Sequence, residues 1–221
     1  MRSFDYIESG KTLLTPHTTS LLAAIHEAKG RQSIQTTIRP DILGTLVAVA
    51  RIQSTDASNR IEGISTSDSR LNDLVSEKVT PRNRNEEEIA GYRDVLSAIH
   101  ESHDYIPITP NVILQLHRDL FRHTPLTVAG HFKDSDNVII ERDAHGTSTV
   151  RFAPPSALVT PELIERACSA YTQAIRDGHT DPLLAIAMFI LDFTCIHPFN
   201  DGNGRMSRLL TLLMLCRNGY M

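Results

Sequence analysis

Residues 197–208 read HPFNDGNGRMSR and stand between two apolar runs, DPLLAIAMFILDFTCI before them and LLTLLMLC after them. The apolar runs have the character of core helices. Asn200-Asp201-Gly202-Asn203-Gly204 is a dense turn signal between them. The second helix is expected to begin near Gly202 to Gly204. Glycine there lets backbone N–H groups converge at the positive end of a helix, forming an anion nest. Arg205 and Arg208, three residues apart, are expected on nearly the same face of its first turn. Two cations at a helix N-terminus oppose the macrodipole at roughly 0.3–1 kcal/mol each, which a bound anion would offset. Paired guanidiniums and a glycine nest suit a phosphate chain.

His197 and Asp201 flank the nest. A carboxylate beside phosphates is the usual anchor for Mg²⁺. An imidazole with a pKa near ~6.5 can accept a proton at neutral pH. Phe199 is expected to anchor the loop in the core. Together these residues point to nucleotide phosphate binding with base-assisted phosphoryl or nucleotidyl transfer. The plainer alternative is a helix–loop–helix in which Asp201 or Asn203 caps and the arginines face solvent. The apolar flanks give no structural reason for so much polar chemistry in one loop, and that weighs against it.

The stretch resembles the signature of the Fic family, H-x-F-x-D/E-G-N-G-R-x-x-R, at every specified position. The wider resemblance runs from about residue 85 to 221. It implies a mostly α fold: a Fic-like helical bundle with one β-hairpin flap, preceded by an N-terminal helical extension. Its implied activity is transfer of AMP from ATP to a Ser, Thr or Tyr hydroxyl of a target protein, the protein itself included, with release of pyrophosphate. By the same resemblance His197 is the base, and Asp201 holds Mg²⁺ against the α- and β-phosphates. Gly202, Asn203 and Gly204 cradle the phosphates, with Asn203 near the α-phosphate. Arg205 pairs with the β-phosphate and Arg208 with the γ-phosphate. Gly130-His131-Phe132-Lys133 and the hairpin that follows resemble the target-docking flap, with Val138, Ile139 and Ile140 registering the target by strand addition.

Upstream, SNRIEG at 58–63 taken alone is a helix end, with Glu62 in solvent and Gly63 past the C-cap. Beside a Fic core it resembles the family's inhibitory motif, S/T-x-x-x-E-G/N. The resemblance implies that Glu62 pairs with Arg208 where the γ-phosphate would sit, with Ser58 one turn earlier near the same site. In some relatives such a glutamate supports removal of AMP, so the reverse reaction stays open, as does transfer of a different nucleotide. A non-enzymatic rival is a nucleotide-sensing binding module; the intact His197 argues against it, because a binding pocket has no need of a base.

Bulk properties agree with a soluble protein. Of the 221 residues, 41% are hydrophobic and 22% charged, enough for one sizeable core. A net charge of −4 supplies no general attraction for nucleic acid or acidic membranes. Cys168, Cys195 and Cys216 are scattered among apolar residues, so reduced, buried thiols and a cytoplasmic setting are expected. No apolar leader is visible, and Pro182 to Ile196 is too short to span a bilayer. Similar proteins often carry a winged-helix segment after the core. This chain stops at Met221, so that segment is expected to be absent or removed, leaving DNA binding without support. Pairing with a second copy stays open.

Three regions are expected: an arm over 1–35, a helical region with the inhibitory motif over 36–84, and the core over 85–221. Helices are expected from Pro16 to Lys29, ended by Gly30, and from Pro40 to about Gln53. Further helices are expected after an Asn85 cap and after Thr109-Pro110, Thr160-Pro161 and Asp181-Pro182, the Pro161 helix stopping at Asp177-Gly178. Val138–Ile140 and Thr149–Phe152 read as hairpin strands around a tip at Asp143–His145, closed off by Pro154-Pro155. Gly10-Lys11-Thr12 is not read as a P-loop, since Asp5 stands where its first glycine should be. His100 and His103, with Asp104, are read as solvated, and Tyr171 and Cys195 as core.

Overall fold

A computed structural model describes residues 4–38, 40–125, 129–142, 146–176 and 178–220. Among these, α1 (Tyr6–Leu13), α2 (Pro16–Ile38), α3 (Pro40–Ile61) and α4 (Asp68–Val75) precede the core. The core itself is α5 (Arg84–Ser102), α6 (Pro110–Leu120), α7 (Thr160–Arg176), α8 (Pro182–Ile196) and α9 (Asn203–Arg217). Between α6 and α7 lies one antiparallel hairpin, β1 (Ile139–Arg142) and β2 (Ser148–Phe152). Among the described residues the fold is therefore mostly helical with a single two-stranded sheet.

One large apolar cluster holds the five core helices together. Ile99, Ile113, Ile164, Phe189, Phe193 and Leu213 are among its fully buried members. Tyr6 of α1 joins it at 2% exposure, and Gly10 faces Thr180 so closely that a Cβ would lie 2.8 Å from Thr180 Cγ2. Gly10 thus serves the close packing of α1 against Thr180, while Lys11 and Thr12 are exposed. A second cluster, with Ile64, Leu71, Leu74, Val75 and Ile89, joins α4 and the segment after α3 to α5.

Several boundaries differ from expectation. Gly30 does not end α2; it is not among the positive-φ glycines, and a right-handed glycine costs a helix only about 1 kcal/mol. Helix α3 continues past Gln53 through Ser58 and ends where Gly63 turns at φ +76°, with Ile64 N–H bonded back to Asn59 O. Asn83, not Asn85, caps α5: its Oδ1 accepts from Glu86 N–H at 3.0 Å, while Asn85 lies in the first turn. Thr160 is the first residue of α7, and its hydroxyl donates to Ser156 O. Thr109 and Asp181 do cap α6 and α8. Val138 falls just before β1, and the 143–145 tip lies outside the described residues. Cys168 and Cys216 are buried, but Cys195 is only half-buried. Among the described residues, no helix is long and apolar enough to cross a membrane.

Candidate functional site

Helix α8 buries Ala185, Ile186, Phe189, Phe193 and Ile196, so its C-terminus is rigidly placed. It stops at His197, which adopts a left-handed conformation (φ 51°, ψ 63°) that non-glycine residues rarely occupy. The reversal carries the chain into Pro198 and Phe199, both buried. Phe199 is fully buried, with its ring stacked parallel to that of His117 at 3.7 Å. Asn203 clamps the loop: its Oδ1 accepts from Phe199 N–H at 2.9 Å and its Nδ2 donates to Phe199 O at 2.7 Å. The Asn203 side chain is therefore committed to the loop's own backbone through Oδ1 and one of its two Nδ2 hydrogens.

Gly202 opens α9 at φ +80°, where a Cβ would lie 2.9 Å from Phe121 Cε2. Neither Asp201 nor Asn203 caps this helix, which begins without a side-chain cap. Its first N–H groups are left available, as an anion nest requires.

The two arginines meet different surroundings. Arg205 is 1% exposed, lies 4.9 Å over the Phe121 ring, and brings Nη1 within 2.7 Å of Glu88 Oε2 without hydrogen-bond alignment. Its Nε, also buried, has no hydrogen-bond partner. Glu88, buried on α5, is held in turn by Arg84 at 2.8 Å. Arg208 is partly exposed and reaches the end of α3. Its Nε donates to Ser58 Oγ at 2.7 Å, and its Nη2 donates to Ser58 O at 3.0 Å and to Glu62 Oε1 at 2.7 Å. The Glu62 carboxylate sits directly over Gly204, where a Cβ would lie 2.1 Å from Oε1. The two motifs found separately in the sequence, 58–63 and 197–208, are in contact.

His197 faces a second segment. Lys133, 3% exposed, donates from Nζ to Ile196 O at 3.1 Å and to Asn137 Oδ1 at 3.0 Å, and its N–H donates to Pro198 O at 2.8 Å. Asn137 Nδ2 donates to Phe199 O at 3.2 Å, and Asn200 Nδ2 to Asp134 Oδ1 at 3.1 Å. Burial and the Lys133 ammonium push the His197 pKa below its usual value, against smaller opposing effects of the Thr194 carbonyl and Glu62. The ring is thus kept neutral at neutral pH, ready to accept a proton. Beyond this zipper Val138 and Ile140 are exposed and Ile139 half-buried, at the rim of the site.

Asp201 is 51% exposed; its Oδ1 accepts from Gly202 N–H at 2.6 Å and lies 3.9 Å from Arg205 Nη2. Among the described residues no three His, Cys, Asp or Glu gather as a metal cage. A single open carboxylate beside a phosphate nest still suits Mg²⁺, which takes one or two protein carboxylates and completes its shell with phosphate oxygens and water.

Sequence reading missed Glu88, Lys133 and His117. Glu88 is the third acid of a run that reads as a dipole-friendly helix start. Lys133 lay within the flap resemblance without a role. His117, on α6, is 1% exposed and carried no signal at all. Its Nε2 lies 3.1 Å from Asp201 O, and its Nδ1 accepts from Gly130 N–H at 2.9 Å. Burial pushes its pKa down to about 4, so the ring is neutral.

Comparison with known proteins bears on the family and the fold. Residues 107–215 match the Fic/DOC family. The chain is 37% identical over 90 residues to a Fido domain-containing protein of Dictyostelium discoideum, covering 39% of this chain and 58% of that protein. It is 28% identical over 127 residues to the protein adenylyltransferase fic-1 of Caenorhabditis elegans, covering 56% of this chain and 22% of that protein. A Fic domain containing signaling protein from Bacteroides thetaiotaomicron has the same fold, with a TM-score of 0.75 at 24% identity over 90% of this chain and 73% of that one. The chain carries a Fic/DOC-family domain. It spans 58% and 22% of the lengths of the two curated relatives described.

Proposed function

We propose that this protein transfers AMP from ATP to a hydroxyl of a protein target, and that Glu62 restrains the reaction. The observation that carries the reading is a half-buried His197 beside an uncapped helix N-terminus whose first two turns carry two arginines, one of them, Arg208, held by Glu62. In this reading the triphosphate lies along the first turn of α9, taking backbone N–H groups of 203–205 and the buried Arg205 guanidinium. Arg208 would pair with the γ-phosphate once released from Glu62. Asp201 would hold Mg²⁺, which neutralises phosphate charge when bound. His197 accepts the proton of the target hydroxyl as its oxygen bonds to the α-phosphorus. The bond from that phosphorus to the β-phosphate oxygen breaks, and pyrophosphate leaves. The exposed edge at Val138–Ile140 would align the target segment by backbone pairing.

Supporting the restraint, the Glu62 carboxylate already occupies the Arg208 guanidinium and the space over Gly204. The test is intact-mass measurement of Glu62→Gly protein incubated with ATP and Mg²⁺. A gain of one AMP that disappears in Glu62→Gly/His197→Ala supports the reading; an unmodified mass with ATP and every other nucleoside triphosphate, in the presence of candidate hydroxyl-bearing proteins, overturns it.

A further inference from the structure

His117 sits where three parts of the site meet. Its ring is stacked on Phe199, tilts edge-on to Phe121 at 5.1 Å, and bonds to Asp201 on one side and Gly130 on the other. Those two bonds leave only one tautomer. Asp201 O can only accept, so Nε2 must carry the proton; Gly130 N–H can only donate, so Nδ1 must be bare. Gly130 stands at the base of the flap segment, at φ +79°, where a Cβ would press on the Arg118 side chain at 2.9 Å. Asp201 O belongs to the peptide that leads into Gly202, and Gly202 rests on Phe121, the ring beneath Arg205.

We propose that His117 is a positioning residue that ties the flap base to the anion-binding loop, with each ring nitrogen holding one side. This deepens the reading above, since it assigns a support to the nest and to the flap that reading uses. His117 touches no reacting atom. Through its Nε2–H bond it fixes the Asp201 carbonyl, and with it the left-handed turn that aims the first N–H groups of α9. Through Nδ1 it fixes Gly130, three residues before the Lys133 that lines His197.

The two ties can be cut separately. In His117→Asn the amide oxygen lies near the Nδ1 position and can still accept from Gly130, but nothing reaches Asp201 O. In His117→Gln the amide nitrogen lies near the Nε2 position and can still donate to Asp201 O, but Gly130 loses its acceptor. Both variants are made in the full chain carrying Glu62→Gly. Amide hydrogen exchange at Gly130 is read on the nucleotide-free protein, and affinity for ATP with Mg²⁺ by calorimetry. His117→Asn is expected to keep Gly130 protected and to weaken ATP binding about tenfold, the size of one lost hydrogen bond. His117→Gln is expected to speed Gly130 exchange about tenfold while ATP affinity stays within about threefold. Two variants that behave alike in both measurements, whether like the parent or equally impaired with a common fall in Tm, overturn the proposal. The Gly130 measurement does not involve nucleotide, so it answers even if ATP proves not to be the substrate.

Discussion

Replacing Glu62 by glycine tests the restraint where its energy can be worked out. The Glu62–Arg208 pair is 2.7 Å long, with side chains 36% and 31% exposed. Unit charges about 4 Å apart attract by roughly 4 kcal/mol at an effective dielectric near 20. Partial exposure screens this, and a charge-assisted hydrogen bond nets about 1.5–3 kcal/mol. An incoming γ-phosphate must displace the carboxylate to reach Arg208, so that amount is subtracted from its binding. At about 1.4 kcal/mol per tenfold, Glu62→Gly should tighten ATP binding by roughly 10- to 100-fold. Ser58 still holds Arg208 in the variant through Oγ and O, so the guanidinium stays in place for the phosphate. Titration calorimetry of Mg²⁺–ATP into wild type and variant measures the difference, and Glu62→Gln, which keeps the side chain's size, checks that charge rather than helix-end flexibility is responsible. Equal affinities in all three proteins would refute the reasoning.

The pH–rate profile of Glu62→Gly should fall on the acid side with a midpoint below ~6.5, because burial and Lys133 depress the His197 pKa and removal of Glu62 takes away one of the opposing influences; a midpoint above that value would contradict the assignment of His197 as base. Glu86, held by Arg70, Thr66 and the Arg82 N–H, has its pKa lowered to about 2. A depressed carboxylate stabilises the fold above its unfolded pKa and loses that contribution as pH falls toward 2. Chemical denaturation should therefore show wild type losing on the order of 2–3 kcal/mol between about pH 5 and 2, a loss flattened in Glu86→Gln. Gly91 on α5 lies against α6 so closely that a Cβ would stand 1.9 Å from Leu120 O. Gly91→Ala must push backbone aside, and a drop in Tm of several degrees, from a cost of at least about 1–3 kcal/mol, is expected by calorimetric melting.

What the sequence disclosed follows a physical division. Chemistry concentrated along the chain was legible: the 197–208 loop holds a histidine, a carboxylate, glycines and arginines in twelve residues, and the structure brings them to one helix N-terminus. Proline-marked starts at Pro110 and Pro182 were legible too, because a cap and a missing N–H act locally. Element ends that depend on long-range packing were not. Gly30 reads as a stop only if its backbone turns left-handed, and nothing local forces that. Asn83 and Asn85 both suit a cap, and the bonds of Glu86 to Arg70 and Arg82 select the first.

The supporting residues lay beyond reach for a related reason. Glu88 meets Arg205 across 117 positions, His117 meets Asp201 across 84, and Lys133 meets Ile196 across 63. Each is an ordinary residue in its own stretch and acquires a role only through burial against a distant partner. The 58–63 motif is the instructive exception: Glu62 and Arg208 are 146 positions apart, yet a family pattern linked them where helical spacing alone gave Glu62 to solvent. A buried ring or acid that supports a site through one hydrogen bond leaves no such pattern within its own segment. Glu88, Lys133 and His117 hold the site together only through such long-range contacts, and they are where a second round of substitution should begin.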